Sequence, residues 1–126
     1  MKNIDWIEKN LFITVLKFGG HGQKPFKIDS ILKLTKEPDN HYDEEAIACE
    51  MRYFGHVGYV ANSTQTVAKG TMSAGRIYDK IEDEYFAQVK FITKDCIIAK
   101  ILNTEEYVQE MENPESDVHY LTVHKK

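Results

Sequence analysis

The chain has 126 residues, of which 42% are apolar and 29% are charged, and its formal net charge is −4. These values are ordinary for one soluble globular domain, and this length buries a core without disulfide or metal staples. The acidic balance argues against a generic nucleic-acid binder, and there is neither a signal-peptide pattern nor a membrane-length apolar run, so we expect a cytoplasmic protein.

The charge is distributed unevenly along the chain. The segment from Asn103 to Asp117 carries six acids and no Lys or Arg, whereas the segment from Lys17 to Lys36 carries five lysines and one aspartate. Because binding follows the local potential, a basic face is compatible with the acidic total. The alternative is that these lysines only solvate strand surfaces.

Hydrophobic periodicity in the first third of the chain predicts strands. Phe12 to Phe18 is a short apolar run, and "GGHGQKP" after it is typical of a flexible loop. Phe26 to Leu34 is the second predicted strand. Pro38, Asp39 and Asn40 then supply the chemistry of a turn.

The middle of the chain contains the clearest half-buried strand, Ile47 to Tyr53, in which apolar and polar residues alternate. A tight connection at Phe54 to His56 leads into Val57 to Val60, its predicted hairpin partner. Asn62 to Lys69 is predicted as a short helix that Gly70 stops. Most of the segment that follows, "GTMSAGRIYDKIEDE", is predicted to be irregular.

The last third begins with two further predicted strands, Tyr85 to Ile92 and Cys96 to Leu102, joined by a turn at Lys94-Asp95. Asn103 to Glu112 is predicted as a small acidic helix, and "VHYLTV" near the C-terminus as an edge strand. Six or seven short strands favour a small β-barrel or a sandwich. With one or two short helices, one of them plugging an end, an OB-like β-barrel of about six strands fits this order.

Catalytic and metal-binding motifs are missing from the sequence. It has no phosphate loop, no Gly-x-Ser-x-Gly elbow and no His-Glu-x-x-His helix. The histidines lie far apart, and Cys49 and Cys96, on separate predicted strands, make a poor zinc site and a reduced, buried thiol pair. We therefore expect a protein that is not an enzyme and that uses no metal or other cofactor.

The segments "LKFGG", "LKLTKEPDNHYDEEAIACE" and "GHVGYVANS" occur in an order that resembles the HIRAN family. The family pattern is (R/K)-(D/E)-P-x-N-x-Y-D-x-x-A-I-x-V followed by V-G-(Y/H)-(V/L). "GTMSAGRIYDKI" and "VKFITKDCIIAKI" also resemble stand-alone bacterial members. The likeness runs from Phe12 to Leu102, so residues 1–126 are interpreted as a single HIRAN-like domain with a core at about 12–102 and an acidic helix and C-terminal extension at 103–126.

The resemblance implies an OB-like barrel, found alone or fused to helicases and nucleases, which in the best-understood fused member captures the 3′ end of single-stranded DNA. Asn40, Tyr42 and Asp43 match the loop of that pocket, and Lys17 and Phe18 match its basic-aromatic pair. Lys17 keeps the charge of the arginine that it replaces but lacks its planar fork. Tyr59 stands where a histidine contacts the DNA strand in that fused member, Asn62 stands where a lysine does, and His41 replaces a common proline.

The chemistry of a DNA end suggests roles for these residues. Phe18, Tyr42 and Tyr59 offer aromatic faces to bases. Lys17, Lys36 and Arg76 offer charge to phosphates, with the amides of "SAGR" (Ser73 to Arg76) as a further anion nest. Asp43 is predicted to accept the hydrogen bond of a 3′ hydroxyl while repelling a phosphate.

Each assignment has a structural alternative. Tyr42 could cap the core, Tyr59 could belong to it, and Asp43 could bind the amides of its own turn. Asn40 could be a left-handed turn residue, and Gly75 could only relieve a positive φ.

The hypothesis from the sequence is a non-catalytic domain that binds single-stranded DNA at a 3′ end, in repair, replication or mobile-element metabolism. The rival hypothesis is a protein-interaction adaptor for a helicase or nuclease, motivated by the acidic segment from Asn103 to Asp117. Neither hypothesis involves a membrane.

Overall fold

A computed structural model describes residues 11–17, 24–94 and 96–123, with the side chain of Val123 excepted. Its six strands are β1 (Phe12–Lys17), β2 (Ile31–Lys36), β3 (Ile47–Met51), β4 (Gly55–Val60), β5 (Glu84–Ile92) and β6 (Ile97–Ile101). Three short helices are described: α1 (Ala74–Ile77), α2 (Thr104–Glu112) and α3 (Asp117–Val123). None of the helices described is long and apolar enough to cross a membrane.

The six strands close into one antiparallel barrel in the order β1-β4-β3-β2-β5-β6. Strand β1 completes the barrel because it pairs with β6 on one side and with β4 on the other, and Val15 is the partner of both Ile97 and Val60. This confirms the prediction of a small OB-like β-barrel and excludes the sandwich. Closure also gives each of the six described strands a hydrogen-bonded neighbour on both sides.

The core lies inside the barrel and has a smaller extension outside it. Inward-facing side chains of all six strands are buried together, Ile13, Leu34 and Val89 among them. Burying each such side chain contributes about 1.5–3 kcal/mol. Outside the barrel, α3 covers β2 and β5 with Val118 and Leu121.

The C-terminal edge strand predicted from "VHYLTV" is wrong, because this segment is part of α3. Val118 and Leu121 stand three positions apart and are both buried against Phe86 and Ile31. Only a helix brings residues at that spacing to one face, so packing outweighs the strand propensity of Val, Tyr and Thr.

The short helix predicted over Asn62 to Lys69 is also wrong. The N–H groups of Thr66 and Val67 both donate to the Ser63 carbonyl, which closes a single turn that does not continue. The segment is mostly exposed and has no apolar face to bury, so little stabilises further turns.

Most other predicted elements agree with the structure to within a few residues. The second strand is the largest deviation, because a turn at residues 27–30, with Asp29 at a φ of 73°, precedes it and the strand begins only at Ile31. The acidic helix is confirmed as α2, and Asn103 caps it in a capping box with Glu106. Both cysteines are free; Cys49 is buried, which raises the pKa of its thiol, and Cys96 is half-buried.

Candidate functional site

A groove of about 660 Å³ opens where the β2–β3 loop meets β4 and the segment after it. Five of the predicted site residues line it: Asn40, Tyr42, Asp43, Tyr59 and Asn62. The rest of the lining consists of Leu16, Asp39, His41, Ala46, Val60, Ser63 and Thr66. Residues up to 50 positions apart in the sequence therefore meet at one surface because β1, β3 and β4 are neighbours in the barrel.

Asn40 holds the loop in shape. Its Oδ1 accepts hydrogen bonds from the N–H groups of Tyr42 (2.8 Å) and Asp43 (3.1 Å), and its Nδ2 donates to Glu37 Oε1 at 3.0 Å. Among the described residues, only Asp29 and Tyr53 are non-glycine residues with positive φ, which excludes a left-handed Asn40. Asn40 thus positions the two residues that follow it, and its side chain oxygen is already occupied.

Asp43 and Asn62 form a hydrogen-bonded bridge in the lining of the groove. Asp43 Oδ1 accepts from the Glu45 N–H at 2.9 Å, as an aspartate bound within its own turn does. Its Oδ2 accepts from Asn62 Nδ2 at 2.8 Å, and Asn62 Oδ1 accepts from the Gly75 N–H at 2.7 Å. The bridge fixes the direction of the Asp43 carboxylate and ties the β2–β3 loop to the start of α1.

Gly75 is needed for space at this bridge. Its φ is not positive, so it does not relieve backbone strain. A Cβ at Gly75 would lie 2.5 Å from Glu45 Oε1 and 3.2 Å from Asn62 Oδ1. The glycine therefore lets two side chains of the site approach the backbone of α1 closely.

Tyr59 forms one wall of the groove. It is half-buried on β4, opposite Leu16 of β1, and its hydroxyl donates to Glu37 Oε1 at 2.9 Å. Burial, then the hydrogen bond and charge of Glu37, raise the pKa of Tyr59, which keeps the hydroxyl protonated. His56 meets its ring edge-on at 4.7 Å between centroids. Tyr59 is therefore a surface wall and not a core residue.

Tyr42 is the most exposed aromatic side chain of the site, at 97%. This excludes the alternative in which it caps the core. Burying an aromatic ring is favourable, so an exposed ring on a loop held by Asn40 is poised for contact with a ligand.

The described lining of the groove is acidic. Asp39 and Asp43 line it, and no Lys or Arg does. Two carboxylates, with no Lys or Arg in the described lining, disfavour a phosphate in this space. The groove suits an uncharged group that stacks on aromatic rings and donates hydrogen bonds.

The predicted cations lie outside the groove. Lys17 pairs with Gly58 and, by strand alternation, faces away from the groove-lining Leu16. Lys36 is occupied: its Nζ donates to the Ile81 carbonyl at 2.9 Å, and its side chain is only 7% exposed. Phe18, the predicted partner of Lys17, lies outside the described residues.

Arg76 lies in a second, smaller hollow, and the anion nest predicted for its segment is not formed. The Gly75 N–H donates to Asn62, and the Arg76 N–H donates to Ser73 Oγ at 3.2 Å and to the Ser73 carbonyl at 3.1 Å. The Ala74 N–H donates to Ala61. These amides are already satisfied within the protein and cannot cradle an anion.

Glu37 is the residue of the site that the sequence interpretation missed. Its Oε1 accepts from both Asn40 and Tyr59, so one carboxylate oxygen links the loop to the wall. Its place in "KEPDN", one step before the turn, is the signal that could have identified it. No group of three or more His, Cys, Asp or Glu in the described part of the chain could hold a metal ion.

No protein-family model, curated protein or solved structure matches the chain. The resemblance to the HIRAN family therefore rests on the sequence motif alone and stays a prediction.

Proposed function

We propose that the protein is a non-catalytic domain that binds the 3′ end of single-stranded DNA and holds the terminal nucleoside in the groove. The observation that carries the proposal is the meeting of an exposed aromatic ring, Tyr42, with the fixed carboxylate of Asp43 in a groove lined by acids. The HIRAN resemblance predicts the same loop as the DNA-binding part. DNA repair, replication or mobile-element metabolism is the proposed setting.

The base of the terminal nucleotide would stack on Tyr42. Stacking on an aromatic side chain contributes about 1–3 kcal/mol per base and is tolerant of sequence. Tyr59 and Leu16 would close the opposite side of the groove, since they are cross-strand partners and both line it. Asn40 already holds the backbone of Tyr42, so the loop itself needs little ordering when a base binds between the Tyr42 ring and this wall, which favours binding.

The terminal hydroxyl would donate to Asp43. Each carboxylate oxygen offers two lone-pair sites, and each oxygen of Asp43 accepts one described hydrogen bond. A further acceptor position therefore remains for a ligand hydroxyl. A 3′ phosphate, or the phosphodiester of an internal nucleotide, would instead place its negative charge against Asp39 and Asp43.

The experiment is a fluorescence-anisotropy titration with short oligonucleotides ending in a 3′ hydroxyl or a 3′ phosphate. We expect the hydroxyl end to bind more tightly, and Tyr42→Ala to weaken binding roughly tenfold, as the loss of one stacked base does. Tyr53→Ala removes a tyrosine that is 80% exposed and does not line the groove, and should leave binding unchanged. Absence of binding at low salt would refute the proposal, and equal binding of the two ends would remove the end specificity.

An adaptor for a helicase or nuclease is the second candidate. On α2, Val108 (45%) and Met111 (37%) are exposed beside Glu105 and Glu112, a surface suited to a partner with apolar and basic residues. A pull-down with a helicase or nuclease, after nuclease treatment, would support it if Val108→Asp with Met111→Asp abolished capture and Asp43→Ala did not. If Asp43→Ala abolishes capture instead, the complex is bridged by DNA.

A further inference from the structure

A second hollow of about 340 Å³ adjoins the groove. Asn62 and Ser63 line both spaces and form the ridge between them. The remaining lining of the hollow comes from the turns after β4 and the start of α1: Thr64, Val67, Ala68, Lys69, Gly70, Thr71, Ser73 and Arg76. A ligand that fills the groove and continues past the ridge would enter this hollow.

The two neighbouring spaces carry opposite charge. The charged residues that line the hollow are Lys69 and Arg76, whereas those of the groove are the aspartates Asp39 and Asp43, with His41 beside them. The ion pairs found within residues 24–94 and 96–123 use other cations, namely Lys33, Lys36, Arg52, Lys90 and Lys100. Both cations of the hollow are exposed and have no acidic partner in the described part of the chain.

Hydroxyl groups complete the chemistry of the hollow. Ser73 Oγ accepts the Arg76 N–H at 3.2 Å, which leaves its own proton free to donate. Gly70 has a φ of 90°, a left-handed turn that follows Lys69, and no atom lies within 4 Å of the position that a Cβ would take there. The space beside Gly70 is therefore open, and the hollow combines two cations with a hydroxyl donor, a set that suits a tetrahedral oxyanion.

We propose that this hollow is a phosphate subsite that binds the phosphodiester immediately preceding the nucleoside held in the groove. The inference rests on the proposed function, because it takes the ligand to be a chain whose uncharged end lies in the groove. Such a chain changes from neutral to anionic over one nucleotide, and the protein surface changes from acidic to basic across the ridge of Asn62 and Ser63.

The test compares two double variants of equal charge change. Lys69→Gln with Arg76→Gln removes the cations of the hollow, and Lys24→Gln with Lys27→Gln removes two exposed cations that line neither space. The first pair should weaken binding of a 3′-hydroxyl oligonucleotide roughly fivefold or more at low salt, and lower the salt slope, d log K/d log[salt], by about 0.7 in magnitude, the loss of one phosphate contact. The second pair should leave the slope unchanged.

An oligonucleotide with a neutral methylphosphonate at its last internucleotide linkage tests which phosphate of the ligand the hollow contacts. The native protein should bind the methylphosphonate oligonucleotide more weakly than the unmodified oligonucleotide. The Lys69→Gln, Arg76→Gln variant should bind both oligonucleotides equally, because it has already lost the phosphate contact. Equal weakening of both proteins by the methylphosphonate would overturn the inference, since the phosphate would then be bound elsewhere.

A third measurement separates the inference from the proposed function. Inorganic pyrophosphate, followed by backbone amide NMR shifts, should perturb residues 69–71 in the native protein and not in the double variant of the hollow. If the Lys69→Gln, Arg76→Gln variant binds the oligonucleotide with the affinity and salt slope of the native protein, the subsite is overturned and the proposed function is not. Shifts with pyrophosphate but no oligonucleotide binding would retain an anion site and overturn the proposed function.

Discussion

Replacing Asn62 with aspartate tests whether the bridge to Asp43 organises the site. The substitution keeps the size of the side chain and keeps an oxygen that can accept the Gly75 N–H, now 2.7 Å from Asn62 Oδ1. It replaces the amide that donates to Asp43 Oδ2 at 2.8 Å with a second carboxylate oxygen. One hydrogen bond thereby becomes a repulsion between like charges, while the other contact is retained.

Two effects add to the cost of Asn62→Asp. A hydrogen bond to a charged group is lost, about 1.5–3 kcal/mol in general and less here because both side chains are half-exposed. Two carboxylates are brought together, and rotation of one side chain relieves part of their repulsion, which is about 4 kcal/mol at 4 Å near a protein surface. We expect the free energy of unfolding to fall by about 2–3 kcal/mol at pH 7, and Tm to fall by about 10 °C.

The loss should depend on pH in a definite direction. Repulsion raises the pKa of one carboxyl of the pair in the folded state, so the folded variant binds a proton more tightly than the unfolded chain does. The Asn62→Asp variant therefore keeps its full stability below the ordinary aspartate pKa of about 3.9, and loses stability as pH rises through the raised value. The difference between native protein and variant should be small near pH 3.5 and largest near neutrality.

Urea unfolding followed by circular dichroism at several pH values measures this difference. Gln65→Glu is the matched control, because it adds the same charge to the same exposed segment, away from the groove lining. The control should match the native protein throughout. A variant Asn62→Asp that is as stable as the control at pH 7 would refute the reasoning, since it would mean that Asp43 does not face this side chain.

Two further predictions concern the glycines Gly58 and Gly75 and the ion pair at the start of α2. Gly58→Ala should destabilise the protein by about 3 kcal/mol, because its Cβ would lie 2.3 Å from a backbone oxygen of β1. Gly75→Ala should cost under about 1 kcal/mol, because its Cβ would lie 2.5 Å from the end of a side chain that can move away. Urea unfolding midpoints that shift equally in the two variants would contradict this prediction. Burial by itself raises the pKa of Glu106, but the hydrogen bonds from Lys100 and the Asn103 N–H, with the charges of Lys100 and Lys90, lower it overall. The ionised Glu106 therefore stabilises the fold above its ordinary pKa of 4.5, and this contribution is lost as pH falls through the lowered value. Glu106→Gln should be less stable than the native protein at pH 7, and the two stabilities should converge near pH 3 in the same unfolding assay.

The strands were predictable because period-2 alternation reflects burial on one side of each strand. Residues 85–92 and 47–51 show it plainly, and both ranges are strands in the barrel. The alternation does not specify which strands pair. Closure of the barrel depends on β1 meeting β6, whose residues lie more than 80 positions away, and local pattern does not contain such a contact.

The misplaced elements share one physical cause. "VHYLTV" has the propensity of a strand, but the decisive fact is that the apolar surface of Phe86 and Ile31 needs covering by residues spaced three apart. Asn62 to Lys69 has a suitable start signal and a glycine to stop it, but no such surface to cover. Tertiary packing decided both segments, and it cannot be inferred from the segments themselves.

The candidate site was predictable in its loop and not in its cations. Asn40, Tyr42 and Asp43 follow from a turn motif of fixed spacing, and a motif of that kind fixes local geometry. Lys36 counted as available charge in the sequence, but in the fold it is held by the Ile81 carbonyl and lies 4.8 Å from the centre of the Tyr78 ring. A sequence gives the number of charges and cannot show which of them the fold has already satisfied.

The two carboxylates of the groove are compatible with a nucleic-acid ligand only if internal phosphates of the DNA stay out of the groove. A binder that follows a strand along its length neutralises many phosphates and needs a continuous basic surface. A binder of chain ends needs a neutral contact for the terminal nucleoside and a single charged contact beside it. In that arrangement Asp39 and Asp43 contribute by rejecting internal segments, whose phosphates would have to enter the groove. Acidic residues beside the pocket then raise the preference for an end over an internal segment while they lower the affinity for polynucleotides in general.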